Sequence, residues 1–419
     1  MRGCVVGRWR AALGVLLMAA VLAAPAAAAA KSSKKKASGH GGACADSDDK
    51  PDFPWQQFKV RDTCVEFTNT LTGVYQNLMQ SSGNVPASRS RGAASSNNPR
   101  VTTFTYKPSL VTTTPTAAGD FKTTFALSTE YSSDDASIVT TLSEGTAEFA
   151  GATVGYTDSV MNFWDGGDFQ SSATAPSRTV GVLRYEHEIF ENSKLGLSLE
   201  SGVPTSGTSS SEFAPIHTDD PVLAGRWLYE TDPLTLDLAA MVHELKYGGS
   251  GGSGGTVIPA LVNRSGSVTG WAVTGGATIA LPFLSDDDNV SMQATYAVNA
   301  SPYLGTNSDL SQLASVIPFK VDTRGWSAVG SYHRAWSDEW ESNVFVSYLV
   351  LDINLPGATP AVRSTRVAGN VKWSPVDYFS VGAELGYSKV EIEPNGTIGI
   401  LSGASGDQLT GYLFSEFDF

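Results

Sequence analysis

The chain has 419 residues, 42 of them acidic and 28 basic, for a formal net charge of −14. That balance opposes a nucleic-acid partner, since phosphate backbones are met by basic surfaces. Mean hydropathy is near zero. After the first thirty residues no stretch is long and apolar enough for a membrane-spanning helix, yet Gly, Thr, Ser and aromatics abound.

The opening reads as a segment to be removed. Arg2, Arg8 and Arg10 precede a short apolar core at 11–24, and alanines at 28–30 form a small-residue cleavage signal. This reads as a secretory signal peptide over 1–30, its apolar run being too short for the alternative, an anchor helix. Cys4 precedes that run and is no lipoprotein cysteine. Without the leader, 25 basic side chains face 42 acidic ones, a net of −17.

Residues 31–63 form a periplasmic arm. Lys34, Lys35 and Lys36 lie in a polar stretch followed by Pro51 and Pro54, the composition of a solvated terminus. Cys44 and Cys64 remain after export. The default in an oxidising compartment is one disulfide tying the arm to the first strand, with two free thiols as the alternative.

From 64 to 419 the chain divides into sixteen segments of alternating polarity, each about ten residues long. They are 65–78, 101–113, 121–131, 136–143, 146–158, 178–190, 194–201, 221–230, 234–247, 267–281, 290–300, 324–336, 340–353, 364–373, 379–391 and 409–419. Pro108 interrupts the second and predicts a bulge. The closing segment shows the design. Leu409, Gly411, Leu413, Ser415, Phe417 and Phe419 make one face, while Thr410, Tyr412, Phe414, Glu416 and Asp418 make the other.

Connections after the even segments are short: 142–145, 191–193, 231–233, 285–289, 337–339 and 374–377. Those after the odd segments are mostly long: 79–100, 159–177, 202–220, 248–266 and 301–323, with 132–135 as the exception. Alternating short and long connections predict an all-β, transmembrane, antiparallel up-and-down barrel of sixteen strands, with short periplasmic turns and long external loops. Only a closed barrel satisfies every strand's backbone groups in lipid. A soluble sandwich would bury its mid-strand charges at a cost of several kcal/mol each, whereas a water-filled lumen accepts them. Trp227, Tyr229, Tyr303, Trp326, Trp336, Trp340, Trp373, Tyr378 and Phe379 fall near strand ends, where headgroups hold aromatic rings.

Inward-facing charges are the candidate functional residues. Asp158, Asp165 and Asp168 are expected near a constriction, with Lys122, Arg184, Arg226, Arg366 and Lys372 as inward bases. Glu148, Glu186, Glu188 and Asp237 add acid, so a weak cation preference is expected. No HExxH, nucleophile elbow or phosphate cradle occurs, so no catalytic residue, cofactor or metal is expected. The 286–289 run lacks spaced calcium ligands and serves as a turn.

The fifth segment carries a resemblance. Residues 146–159, TAEFAGATVGYTDS, followed by Asn162-Phe163-Trp164-Asp165, resemble a characteristic stretch of the alphaproteobacterial general porins. The Cys44 and Cys64 pair and the terminal Phe419 are similar to that family as well. The resemblance implies a homotrimeric outer-membrane channel for passive diffusion of small hydrophilic solutes and ions. It also implies that the loop at 159–177 folds into the pore. Outer-membrane lipid and lipopolysaccharide would surround the barrel. A substrate-specific channel on the same barrel is the alternative. One departure stands out: Tyr156, expected on the lumen face, occupies a position where the family often has a basic residue.

Overall fold

A computed structural model describes residues 57–83, 98–201, 221–247, 266–305, 322–354, 359–393 and 405–419. The expected leader, most of the expected arm and the 248–255 glycine stretch lie outside the described residues. Among the described residues no helix is long and apolar enough to cross a membrane.

The strands are β1 Gln57–Val60, β2 Thr63–Gly83, β3 Arg100–Thr116, β4 Gly119–Ser132, β5 Ser137–Phe149, β6 Ala152–Asp158, β7 Thr179–Phe190, β8 Ser193–Glu200 and β9 Val222–Glu230. They continue with β10 Leu234–Tyr247, β11 Gly266–Ala280, β12 Asn289–Val298, β13 Asp322–Ala335, β14 Trp340–Asn354, β15 Ala361–Val376, β16 Phe379–Glu393 and β17 Ser405–Asp418. Each strand from β2 to β17 pairs antiparallel with the next, and β17 pairs with β2. The sheet is therefore a closed barrel of sixteen strands, as the alternation predicts.

The last rung of the closure joins Asn69 and Phe419, whose backbones exchange N–H···O bonds of 2.9 Å in both directions. Below that rung β17 has ended, and β1 takes its place beside β2, pairing Lys59 with Cys64. Cys64 is disulfide-bonded, and Cys44 lies outside the described residues.

Register fixes which residues face out. Leu183, Leu197, Leu238, Val346 and Leu413 are each 55–63% exposed on one face, where lipid covers them. Their strand neighbours Arg184, Ser198, Asp237, Ser347 and Tyr412 face the lumen. Stacked or tilted aromatic pairs lie on the outer face, among them Trp227 with Tyr229, Trp271 with Tyr296 and Trp340 with Trp373.

Three expectations are corrected. The fourth and fifth segments do not meet at 142–145. That stretch lies within β5, where the register shifts opposite Ala126 and Leu127. The turn falls instead at Ala150-Gly151, both at positive φ (50° and 83°), the backbone a two-residue hairpin requires. Alanine rarely adopts that conformation, so Gly151 alone marked the turn. Second, Pro108 causes no bulge: β3 runs past it without a register shift against either neighbour. Third, Tyr156 does not face the lumen. It pairs with Gly145 and Gly181 and shares the outward face of Val154 and Leu183.

Candidate functional site: the divided lumen

The connection between β6 and β7, residues 159–178, enters the barrel. Its root is apolar: Val160 and Met161 are fully buried against lumen-facing Val222, Ala224, Ala239, Met241 and Ala272. Burying such side chains is worth about 1.5–3 kcal/mol each, which draws the loop inward at its first residues. The Glu200 carboxylate fixes the same root, accepting the Ser159 hydroxyl at 2.7 Å and the Val160 N–H at 3.0 Å.

From there the loop crosses the wall strand by strand. Phe163 lies against Gly276, where any side chain on β11 would collide with its ring. Gln293 of β12 spans the loop, accepting the Trp164 N–H at 2.9 Å and donating to the Met161 carbonyl at 2.8 Å. The Trp164 indole donates to Ser331 of β13 at 2.9 Å. Trp164, Phe169 and Phe345 of β14 form an aromatic cluster with centroids 4.7–6.2 Å apart.

Asn370 of β15 donates to the Asp168 carbonyl at 2.6 Å. Glu384 of β16 accepts the N–H groups of Gln170 and Ser171 at 2.8 and 2.6 Å. Gly386, also on β16, leaves room for the Ser171 side chain. The chain then returns: Arg366 donates to the Ser172 carbonyl at 2.7 Å, and the Thr174 N–H reaches Ser347 at 3.1 Å. Asn162 closes the excursion, donating to the Arg178 carbonyl and accepting its N–H, both at 3.0 Å.

A second segment also turns inward. After β12, a short 3₁₀ turn at Ser301–Leu304 is buried, with Tyr303 and Leu304 wholly inaccessible. The Arg178 guanidinium sits 5.0 Å over the Tyr303 ring. The turn falls inside the expected long loop at 301–323 and corrects the expectation for Tyr303: its ring is buried against the loop and the inner wall rather than set at a headgroup girdle.

The expected site residues fall into separate groups. Asp158 ends β6, with the Thr179 hydroxyl donating to its carboxylate at 3.2 Å and Arg184 donating to its carbonyl at 2.6 Å. Asp165 and Asp168 lie on the exposed edge of the loop. Solvent reaches Asp168, and the protein packed around it pushes its carboxyl above the ordinary range by desolvation, with Lys372 and His333 pulling the other way. Lys372 pairs with Glu341 at 2.8 Å, and Lys122 with Glu148 at 3.7 Å. Arg226 pairs with the fully buried Asp237. Arg366 serves the loop backbone, as above. Glu186 and Glu188 lie on the lumen face of β7 near the short-turn rim.

Glu200, Gln293 and Glu384, which hold the loop, are absent from the expected set. Their one legible signal was a polar side chain at a lumen position. No group of His, Cys, Asp or Glu among the described residues is arranged to hold a metal ion.

A family model described as the porin subfamily matches residues 76–409. No curated protein sequence matches the chain. Solved structures share the fold. The outer-membrane channel DcaP of Acinetobacter baumannii is 16% identical, with a TM-score of 0.65, covering 86% of this chain and 99% of that one. OmpT of Vibrio cholerae in its trimer form is 10% identical, with a TM-score of 0.51 and coverage of 85% and 99%. The anion-selective porin from Comamonas acidovorans is 11% identical, with a TM-score of 0.50 and coverage of 85% and 100%.

Proposed function

The chain belongs to the porin subfamily and is an outer-membrane channel for passive diffusion; on that footing we propose that the loop at 159–178 sets the size limit of the pore. The observation that carries this is the fastening of one loop across the lumen, from Glu200 on β8 to Glu384 on β16. A loop held at so many points is a rigid obstruction, and what passes is whatever fits beside it.

The same reading gives the channel a weak preference for cations. Lumen-facing Lys122, Lys194, Arg226 and Lys372 each have a carboxylate partner. Glu130, Glu144, Glu188 and Asp165 form no ion pair among the described residues. Lumen-facing Lys107 and Arg184 form no ion pair among the described residues either, but Glu186 and Glu416 join the unpaired acids, so the charge left over in the water is acidic, and Asp165 and Asp168 contribute to it at the loop edge. The passage carries out no chemistry, so the protein is not an enzyme. A homotrimer embedded in lipid and lipopolysaccharide, within the alphaproteobacterial general porins, completes the proposal. The OmpT trimer and the resemblance of residues 146–165 support it.

Reconstitution in planar bilayers tests the reading. Stepwise ion currents that do not saturate with salt or sugar, and a reversal potential of cationic sign in a salt gradient, are expected. Flux that saturates with one solute would favour a substrate-specific channel instead.

A further inference from the structure

The lumen is not uniformly wet. On the wall of β9–β12, lumen-facing Ala224, Ala239, Met241, Ala272 and Ala297 are at most 5% exposed. They pack, with the loop root and the 3₁₀ turn, into one apolar cluster that extends to β14–β16. Close-packed interiors of this kind leave no room for water. On the wall of β2–β6, lumen-facing Thr72, Thr105, Ser128, Thr141 and Glu144 remain partly or largely open. The two walls belong to the same barrel, so the difference is made by what covers them.

We infer that water and solutes cross this barrel only along the wall of β2–β6, and that Tyr303 is the wedge that keeps the β9–β12 side closed. This rests on the channel reading above. Tyr303 lies between the returning arm of the loop and the wall. Arg178 stacks on one side of its ring, and His243 of β10 meets it edge-on at a centroid distance of 6.4 Å. Gly305, directly after the turn, takes a left-handed φ of 76° and abuts the Ala175 backbone, where a side chain would collide. The turn therefore braces the arm against the strands and fills the space that solvent would otherwise occupy. Tyr303 is a positioning residue for the pore, touching no solute itself.

The test is labelling of single introduced cysteines in the reconstituted full-length protein with a small, charged methanethiosulfonate, the wild-type chain giving the background. Ser128→Cys and Thr105→Cys should label quickly. Ala297→Cys and Ala239→Cys should label at least about a hundredfold more slowly, as a close-packed site demands. Adding Tyr303→Ala should bring Ala297→Cys towards the open-wall rate and raise the single-channel conductance. Either protected position serves if the other fails to assemble. A conducting channel in which Ala297→Cys and Ala239→Cys label as fast as Ser128→Cys overturns the partition and leaves the channel reading standing. Continued protection of Ala297→Cys in a folded Tyr303→Ala barrel overturns the role of the wedge. A wild-type protein that assembles but passes no current overturns the channel reading and the inference with it.

Discussion

The Glu384 carboxylate accepts the backbone N–H of Ser171 at 2.6 Å, joining the far turn of the inward loop to the opposite wall. The same carboxylate takes the neighbouring N–H of Gln170 and an amide hydrogen of Asn370, so its acceptor capacity is spent on holding chain in place. Glu384→Ala leaves two loop N–H groups without their acceptor, at about 1–3 kcal/mol for each that stays buried. The loop's far turn should detach and the pore widen. Liposome swelling should show larger sugars entering, while the barrel keeps its heat-resistant gel migration. Glu384→Gln retains one carbonyl acceptor and should fall between. An unchanged sugar limit in Glu384→Ala would show that the remaining fastenings, from Gln293 to Arg366 and the aromatic cluster, fix the loop without it.

Asp168 should make the channel's selectivity depend on pH above the usual carboxylate range. Its carboxyl is raised chiefly by burial, so on acidification it takes up a proton before an ordinary aspartate does. Cation preference, read from the reversal potential, should therefore begin to fall above the pH at which exposed carboxylates titrate. Asp168→Asn should show a lower preference at neutral pH and no early drop. The sign for stability follows from the same shift. A group raised in the folded state favours folding when protonated and loses that contribution as pH rises through its folded value. Asp168→Asn should thus resist urea slightly better than wild type at neutral pH and equally in acid.

Asp288 locks a turn on the short-turn rim. One carboxylate oxygen accepts the Ala335 N–H at 3.0 Å, and the other accepts Tyr332 Oη at 3.0 Å and Arg334 at 2.5 Å. Asp288 is fully buried, whereas Arg334 keeps a fifth of its side-chain surface. Asp288→Ala should cost on the order of 3 kcal/mol, as for a buried pair that loses one partner. The loss should appear as a lower urea midpoint for the barrel. Calcium and chelator should leave that midpoint unchanged in both proteins.

The outer wall was legible because lipid imposes a binary rule. Leu195, Leu197 and Leu199 had to point one way and Lys194, Ser198 and Glu200 the other, and register places them so. The inner wall follows no such rule. Ala239, Ala272 and Ala297 look like undemanding lumen positions, and only the loop and 3₁₀ turn packed on them reveal why they are small. Val160 and Met161, two apolar residues at the start of a loop, were the available sign of an inward root. Glu384 and Glu200 were recognisable as lumen acids, but a carboxylate serving water and one serving loop N–H groups have the same sequence. The β5–β6 boundary was hidden because Ala150 takes a backbone conformation that glycine or asparagine would have announced.

Arg226 and Asp237 test whether a lumen charge pair is structural or selective. Asp237 has no exposed side-chain surface, while Arg226 retains a fifth of its own. Their charges cancel, so the pair adds nothing to the lumen field when intact. Removing one partner leaves the other uncompensated in a mostly buried place, at about 3–5 kcal/mol. Asp237→Ala and Arg226→Ala should each lower the urea midpoint. The double variant should recover much of the loss, giving a large coupling term in the thermodynamic cycle. Selectivity should move in opposite directions: Asp237→Ala leaves a free guanidinium and weakens cation preference, whereas Arg226→Ala strengthens it. The double variant should return to the wild-type reversal potential. Additive losses of stability, or single variants with the same reversal potential as wild type, would show that the two side chains act independently of one another.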